Sequence, residues 1–476
     1  MYDVVVIGAG CVGAMTIREL AKYNLKACIL EKENDVSLGA TRANSAIVHA
    51  GFDAEPGTLK AKLNVRGAEL FRTVTKELGV KFINNGSLVI GFDEKDKEHL
   101  ELLFDRGVKN GVEVKMLDEK EVHELEPNLT KEVKYALYAP YGAITCPYEL
   151  TIAAVGNAMD NGADLKLNFK VVDIKEENGI YKITAEDGRE VEAKVVINAA
   201  GVYSDKIAGL VGDTSFTIIP RRGEYILLDK VNGEIVKNTI FRTPSNMGKG
   251  ILVSPTVDGN LITGPTSFNI DDKDDNSTTD EGFSLVIKQS QENVNGVNFR
   301  NTIRSFCGVR AVGSTGDFIL TSPKKGFINA AGIESPGLSA SPAIAEYIVE
   351  MVKEVMPLTK NESFNPIRKP MHFFKEASIE EKNEIIKKDK SFGKIICRCE
   401  TVTEGEILEA IRSNPKPTDL DGVKRRTRAQ MGRCQGGFCM PYIVNLLSKE
   451  LNIPVTEVTK SGKGSYVNIS KTKGDK

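Results

Sequence analysis

Residues 2–33 read "YDVVVIGAGCVGAMTIRELAKYNLKACILEKE", and this stretch decides the fold around it. Val4 to Ile7 form an unbroken apolar run, the pattern of a strand buried on both faces of a parallel sheet. Gly8, Gly10 and Gly13 follow in G-x-G-x-x-G spacing. Ala14, Ile17, Leu20 and Ala21 then recur on one face of a predicted helix. "KACIL" predicts a second strand that ends at Glu31, 18 residues past the last glycine. The glycines permit a tight turn and close approach of the backbone to a pyrophosphate at the helix N-terminus, and Glu31 can accept from a ribose hydroxyl. A strand before, a helix after and an acid at this distance distinguish a dinucleotide site from a Gly-rich turn in another α/β protein.

The chain around this motif has 476 residues, too many for one core, and predicts several domains. It is 41% hydrophobic and 27% charged with a net charge of −2, so no global field argues for nucleic acid. No apolar run reaches the roughly 20 residues of a membrane span, and the N-terminus has no basic segment of a signal peptide. The expected location is the reducing cytoplasm, with any membrane contact made peripherally through a partner. In that setting clustered cysteines point to metal or redox work rather than disulfides.

The first motif does not separate FAD from NAD. The next stretch, "SLGATRANSAIVHAGFD", is small, polar and rich in Ser, Thr and Asn, where an NAD domain would continue with another βα unit. "KVVINAAGVYSD" then predicts a strand over Val195 to Asn198, ending in Ala199-Ala200-Gly201. "GFINAAGIESPGLSASPAIAEYI" predicts a strand, a Gly-rich loop and a helix starting near Ser341. No second G-x-G-x-x-G occurs, so one dinucleotide is expected.

Between these pieces "NNGSLVIGFD" reads as a strand pair and "EKDKEHLELLFDRGVKNG" as an exposed helix. "RRGEYILLDK", "GILVSPTVDGNLITGPT" and "DFILTSPKKGFINAAG" alternate apolar and polar residues, with a hairpin at Val257-Asp258-Gly259-Asn260. An antiparallel sheet over the cofactor is expected, with substrate between the two. Of four histidines, His99 and His123 read as surface residues and His372 falls in a linker. His49, in the small-residue loop, is the candidate base, because neutral imidazole suits proton removal near pH 7; the alternative is a structural histidine bonded to backbone. Candidate anchors for an anionic substrate are Arg221, Arg222, Lys249 and Arg310, each of which could instead be a solvated surface charge.

At the end of the chain, "IICRCETVTEGEILEAI" and "GRCQGGFC" hold half of the eight cysteines, with 34 residues between Cys399 and Cys434. Cys397, Cys399, Cys434 and Cys439 form a four-thiolate set suited to zinc or an iron–sulfur cluster. Neither pair has the C-x2-C spacing usual in zinc ribbons. Residues 394–447 carry nine Lys or Arg against six Asp or Glu, with Arg398 and Arg433 beside ligands, which fits a cluster of net negative charge. Capping boxes are predicted at Thr403–Glu406 and, in the preceding charged segment, at Ser378–Glu381. The other cysteines, Cys11, Cys28, Cys146 and Cys307, read as inert.

The glycine motif, the "NAAG" segments and the loop before Ser341 together resemble the FAD contacts of the D-amino acid oxidase-like flavoproteins. Residues 1–350 are further similar to the type II sn-glycerol-3-phosphate oxidases and dehydrogenases through "ANSAIVHAG", "RRGEYILL", "GKGILVSPTVDGNLITGPT", "GVRA" and "SPGLSASPAI". The tail, with CxC and then G-x-C-Q-G-x-x-C, resembles the bacterioferritin-associated ferredoxin-like [2Fe-2S] domain. The resemblance implies an α/β, Rossmann-like FAD domain of glutathione reductase type 2, an antiparallel-sheet substrate domain and a small helical iron–sulfur domain. The boundaries it suggests are 1–85, 142–215 and 325–352 for the FAD domain and 86–141 and 216–324 for the substrate domain. A linker over 353–392, a cluster domain over 393–450 and a tail over 451–476 complete the chain. It implies FAD contacts at Gly8, Gly10, Gly13, Glu31, Lys32, Thr41, Asn44, Ser45, Ala200, Gly201, Gly337, Leu338 and Ser339. It implies His49 as base and Lys249, Arg310, Arg222 and Ser335 as substrate contacts. The activity implied is FAD-dependent oxidation of glycerol 3-phosphate to dihydroxyacetone phosphate, with electrons passing through the cluster to a redox partner. L-2-hydroxyglutarate or another 2-hydroxy acid as substrate, and an electron-transfer subunit with a vestigial flavin site, remain the alternatives.

Overall fold

The computed structural model describes residues 1–243, 250–369, 374–470 and 472–473. The Tyr2–Ile7 strand lies between Ala27–Leu30 and Glu190–Asn198 and runs parallel to both, with Val5 opposite Cys28 and Val4 opposite Val195. The unbroken apolar run follows from the pleat. Val4 and Val6 pack on one face against the helices Cys11–Leu20, Leu59–Leu78, Pro147–Asp160 and Gly337–Val355. Val5 and Ile7 pack on the other against Ile183, Val191 and Ile207. Each fully buried side chain of this size contributes about 1.5–3 kcal/mol.

Two glycines of the motif are sterically fixed. Gly8 has φ +104°, and a Cβ there would lie 2.5 Å from the carbonyl oxygen of Ala199. A Cβ on Gly13 would lie 1.9 Å from the Gly8 oxygen, so the helix packs on the strand only without one.

The long Glu190–Asn198 strand shares one edge between two partners: Ile180–Ala185, antiparallel, and Phe327–Ala331, parallel. Ile319–Lys324 pairs with Phe327–Ala331 in this same sheet. The strand read from "DFILT" therefore sits with the nucleotide layer, not with the substrate sheet that was expected to extend to residue 324.

The second sheet has nine strands in the order Phe268–Asn269, Ile218–Leu228, Leu261–Gly264, Leu252–Pro255, Thr239–Arg242, Ser87–Gly91, Tyr135–Ala139 and Lys115–Leu117, with Thr302–Gly313 along the other edge of Ile218–Leu228. It is antiparallel except where Thr239–Arg242 meets Ser87–Gly91. The hairpin at residues 257–260 forms as read, with the Thr256 N–H donating to the Asn260 carbonyl at 2.9 Å. "NNGSLVIGFD" supplies one strand, Ser87–Gly91, rather than two, because Gly86 at φ +72° turns the chain before it. A small third sheet of Ile47–Val48, Ala143–Thr145 and Phe82–Ile83 joins the two layers.

Between Val355 and the C-terminal domain the chain is partly a strap. Asn24 donates to the Thr359 carbonyl and Arg368 to that of Glu77, each at 2.8 Å. Arg18, 1% exposed, reaches the carbonyl of Pro366. The Ser378–Glu381 capping box opens a helix over Ile379–Lys388.

The C-terminal domain is a short hairpin, Ile395–Cys397 with Val402–Thr403, followed by helices Glu404–Arg412, Leu420–Thr427 and Met440–Leu451. Thr403 and Glu406 form the expected capping box, and Pro441 sits in the first turn of the last helix. Ile407, Leu420, Val423, Ile443 and Leu447 make its core. Val458 is fully buried in that core, so the domain extends past the expected boundary at 450.

Candidate active site and cluster site

The first helix begins at Gly10 with no side-chain cap and no acid in its first turn, which leaves its positive end open to an anion. The turn Ala40–Arg42 closes over it. Thr41 Oγ1 accepts from the Cys11 N–H at 3.0 Å, and a Cβ on Gly10 would meet that oxygen at 3.2 Å. Buried Glu31 accepts from the Ala9 N–H at 2.7 Å and the Glu33 N–H at 3.0 Å. Burial pushes its carboxyl up, and the two N–H donors oppose that. A carboxylate has further lone pairs, so Glu31 retains acceptor capacity for a ribose hydroxyl. Ala200 and Gly201 follow directly on Ala199, whose carbonyl abuts Gly8. This cradle fits a dinucleotide.

Other predicted contacts have local partners. Asn44 donates to the carbonyls of Ala40 and Thr41 at 3.2 and 2.9 Å and so shapes the turn. The Lys32 ammonium lies 4.5 Å from the Tyr203 ring centroid, at the rim beside Asp274. Ser45 bonds the Tyr225 hydroxyl at 3.2 Å.

His49 follows Ile47–Val48 and is held from two directions. Its backbone N–H donates to Ser339 Oγ at 2.7 Å, and its Nε2 lies 3.3 Å from Ser335 Oγ. Its ring is 5.7 Å from that of Phe241 on the second sheet. The helix carrying Leu338 and Ser339 starts at Gly337, four residues before the expected start near Ser341, with Pro342 accommodated inside it. The helix start and His49 thus meet in one place.

The ribbon of Ile218–Leu228 and Thr302–Gly313 covers this loop. Strand alternation puts Arg221, Gly223 and Tyr225 on the face shared with Phe306, Gly308 and Arg310, which pair with them in register. A Cβ on Gly308 would lie 1.9 Å from the Ala43 oxygen, and Tyr225 bonds Ser45, so this face is the one turned to the nucleotide loop. Arg310 donates to the Thr266 carbonyl at 3.1 Å and keeps further N–H groups available. Arg222 points to the opposite face, where its guanidinium pairs with Asp275. The structure therefore does not bring Arg222 together with Arg310, contrary to the sequence reading. Lys249 and His372 lie outside the described residues. Tyr225 and Phe241 were not singled out from the sequence, where both read as ordinary strand residues. The parity of Tyr225 with Arg221 and Gly223 was the available signal.

The four tail cysteines form two pairs. Cys399 Sγ lies 3.5 Å from Cys434 Sγ, and the Cys439 thiol hydrogen-bonds to Cys397, which lowers the pKa of Cys397. A Cβ on Gly432 would lie 2.3 Å from that of Cys399, so Gly432 lets the loops meet. Among the described residues no three His, Cys, Asp or Glu side chains converge on one point. Two thiol pairs suit the two irons of a [2Fe-2S] cluster better than one zinc.

The cluster domain is docked on both other layers. Buried Asp35, on the loop after Glu31, accepts from Arg425 at 2.6 Å and Arg426 at 2.8 Å. Burial would raise its carboxyl, but Arg426 and then Arg425 outweigh that and hold it at about 2. Arg428 pairs with Asp258 in the hairpin turn and with Glu400, which also takes Lys230.

Residues 3–351 match the family model described as FAD dependent oxidoreductase. The chain belongs to that family. Residues 395–449 of this FAD-dependent oxidoreductase match the BFD-like [2Fe-2S] binding domain, and FAD and a [2Fe-2S] cluster are its cofactors. It is 47% identical, over the whole of both chains, to a glycerol 3-phosphate dehydrogenase of Caloramator mitchellensis. It is 32% identical to a glycerol 3-phosphate oxidase of Mycoplasma pneumoniae over 76% of this chain and 97% of the relative. A solved structure, the dithionite-reduced L-alpha-glycerophosphate oxidase of Mycoplasma pneumoniae with FAD bound, matches with a TM-score of 0.73 and 31% identity, over 77% of this chain and 98% of that one. Among the described residues of the oxidoreductase no helix is long and apolar enough to cross a membrane.

Proposed function

We propose that this enzyme oxidises sn-glycerol 3-phosphate at its secondary alcohol to dihydroxyacetone phosphate and works as a dehydrogenase. Bound FAD supplies the hydride acceptor and the [2Fe-2S] cluster a one-electron outlet to a redox partner. The Nε2 of His49 takes the hydroxyl proton as hydride leaves the same carbon, a role neutral imidazole fills near pH 7. Arg310 and Lys249 anchor the phosphate, and Ser335 orients His49 and the substrate hydroxyl. Gly8, Gly10, Gly13, Glu31, Thr41, Ala200, Gly201 and Gly337 to Ser339 form the dinucleotide cradle.

The observation that carries this reading is the full-length likeness to a glycerol 3-phosphate dehydrogenase. The oxidase relative, matched over almost its whole length, leaves about a quarter of this chain unmatched. An enzyme that hands electrons to oxygen needs no cluster, which favours a dehydrogenase. Anaerobic flavin bleaching tests the substrate. Glycerol 3-phosphate should bleach the flavin and L-2-hydroxyglutarate should not; the reverse would overturn the substrate. His49→Ala should slow bleaching by about 10²–10⁴-fold, and an unchanged rate would remove His49 as the base.

A further inference from the structure

The two thiol pairs are unequally covered. Cys397 and Cys439 are each 1% exposed, whereas Cys399 is exposed and Cys434 half-buried. The Cys399–Cys434 edge is where the site meets solvent.

The segment around that edge carries exposed aromatic side chains. Phe438, immediately before Cys439, is 80% exposed, and Tyr442, four residues on, is 55% exposed. The Met440–Leu451 helix turns Ile443, Val444 and Leu447 into the domain core, which leaves Pro441 and Tyr442 exposed. A single exposed apolar residue needs no explanation. Two exposed aromatics within five residues, flanking a ligand cysteine, have the composition of an interface centre.

The ligand-bearing segments at this rim carry charges of one sign. Arg398 and Arg433 are exposed and each adjoins a ligand cysteine. Arg433 touches Asp229 at 3.2 Å, yet its side chain stays 71% exposed. Segments 397–399 and 432–445 contain no Asp or Glu. The next acid, Glu400, is 4% exposed and engaged by Lys230 and Arg428. Three of the domain's other basic residues, Arg425, Arg426 and Arg428, are taken up by docking onto Asp35 and Asp258.

We propose that Phe438, Tyr442, Arg398 and Arg433 form the docking surface for an acidic one-electron carrier protein, which collects electrons at the Cys399–Cys434 edge. This rests on the cluster being the electron outlet. Oxidation of one alcohol to a ketone releases two electrons and two protons. Two carrier molecules take one electron each in turn, and the protons go to solvent. Apolar contact at the aromatics supplies affinity, and the arginines steer an acidic partner and set its salt dependence.

The test uses two carriers with one redox centre and opposite charge: native cytochrome c, which is basic, and cytochrome c with succinylated lysines, which is acidic. The holoenzyme is loaded with electrons either by glycerol 3-phosphate or by dithionite followed by desalting. The succinylated carrier should be reduced about tenfold faster than the native one at low salt, with the difference collapsing at high salt. Phe438→Ser with Tyr442→Ser should raise its KM about tenfold. Arg398→Glu with Arg433→Glu should reverse the carrier preference. Cluster absorbance should persist in each variant and flavin bleaching by substrate should be unchanged. Equal rates for both carriers, or variants that leave the KM and preference unchanged, would overturn the surface. If only dithionite-loaded enzyme shows the full pattern, the surface stands and the proposed route from substrate to cluster falls.

Discussion

The backbone N–H of His49 donates to the hydroxyl of Ser339 at 2.7 Å, across 290 residues of sequence. One bond thus ties the loop that bears the candidate base to the helix start that adjoins the cofactor cradle. Ser339→Ala removes the acceptor from a buried site and leaves the His49 N–H without it. The expected cost is about 1–3 kcal/mol in stability. Flavin reduction in stopped flow should fall several-fold while the cluster's EPR signal stays unchanged.

Arg310 and Arg222 read alike in sequence, both basic and both on paired strands, yet alternation sends them to opposite faces. Arg310→Ala should raise the KM for glycerol 3-phosphate by at least about tenfold, and Arg310→Lys should recover part of it, since a point charge replaces a fork. Turnover of glycerol, which has no phosphate, should not respond to Arg310→Ala. Arg222→Gln should leave the KM in place and lower the melting temperature, because it breaks the pair with Asp275.

Asp35 is 1% exposed and holds Arg425 and Arg426. Asp35→Asn leaves two buried guanidinium groups short of charge, at about 3–5 kcal/mol. The cluster domain should become sensitive to limited proteolysis, with flavin bleaching retained and cluster reduction slowed. The folded carboxyl sits at about 2, below its usual value near 3.8. Its contribution is therefore complete above about pH 4 and is lost as pH falls toward 2. Docking measured by proteolysis should follow that window.

Glu149 lies beneath the docked domain, and its carboxyl is pushed up to about 7 by burial and then by the charge of Asp258. In the folded state it holds a proton that the unfolded chain has already lost between pH 4.5 and 7. Stability contributed at this site therefore falls as pH rises through that window and is flat above it. Glu149→Gln should raise the melting temperature at pH 8 more than at pH 5, as read by differential scanning fluorimetry.

The reach of the sequence follows the distance over which each feature is built. The G-x-G-x-x-G turn, the paired strands and Glu31 are local, so spacing alone predicted where Gly8, Gly13 and Glu31 would stand. The capping boxes at Thr403 and Ser378 are local for the same reason. The cysteine spacing predicted four thiols but not that they pair as Cys399 with Cys434 and Cys397 with Cys439. His49 was recognisable as an odd residue in a small-residue loop, while its partners Ser339, Ser335 and Phe241 depend on chain closure. Arg222 was misplaced because alternation gives parity within a strand, and only the register with Thr302–Gly313 says which parity faces the nucleotide loop. The ion pairs of Asp35 join residues 390 and 391 positions apart, and no local pattern signals them.

The most direct measurement is an anaerobic titration of the holoenzyme with glycerol 3-phosphate, followed by absorbance and by low-temperature EPR on the same samples. The flavin band should bleach and the signal of a reduced [2Fe-2S] cluster should rise with it, and Cys434→Ser should abolish the second change without the first. A flavin that glycerol 3-phosphate leaves oxidised, or a fully bleached flavin beside a cluster that stays EPR-silent, would contradict the route from substrate through flavin to cluster.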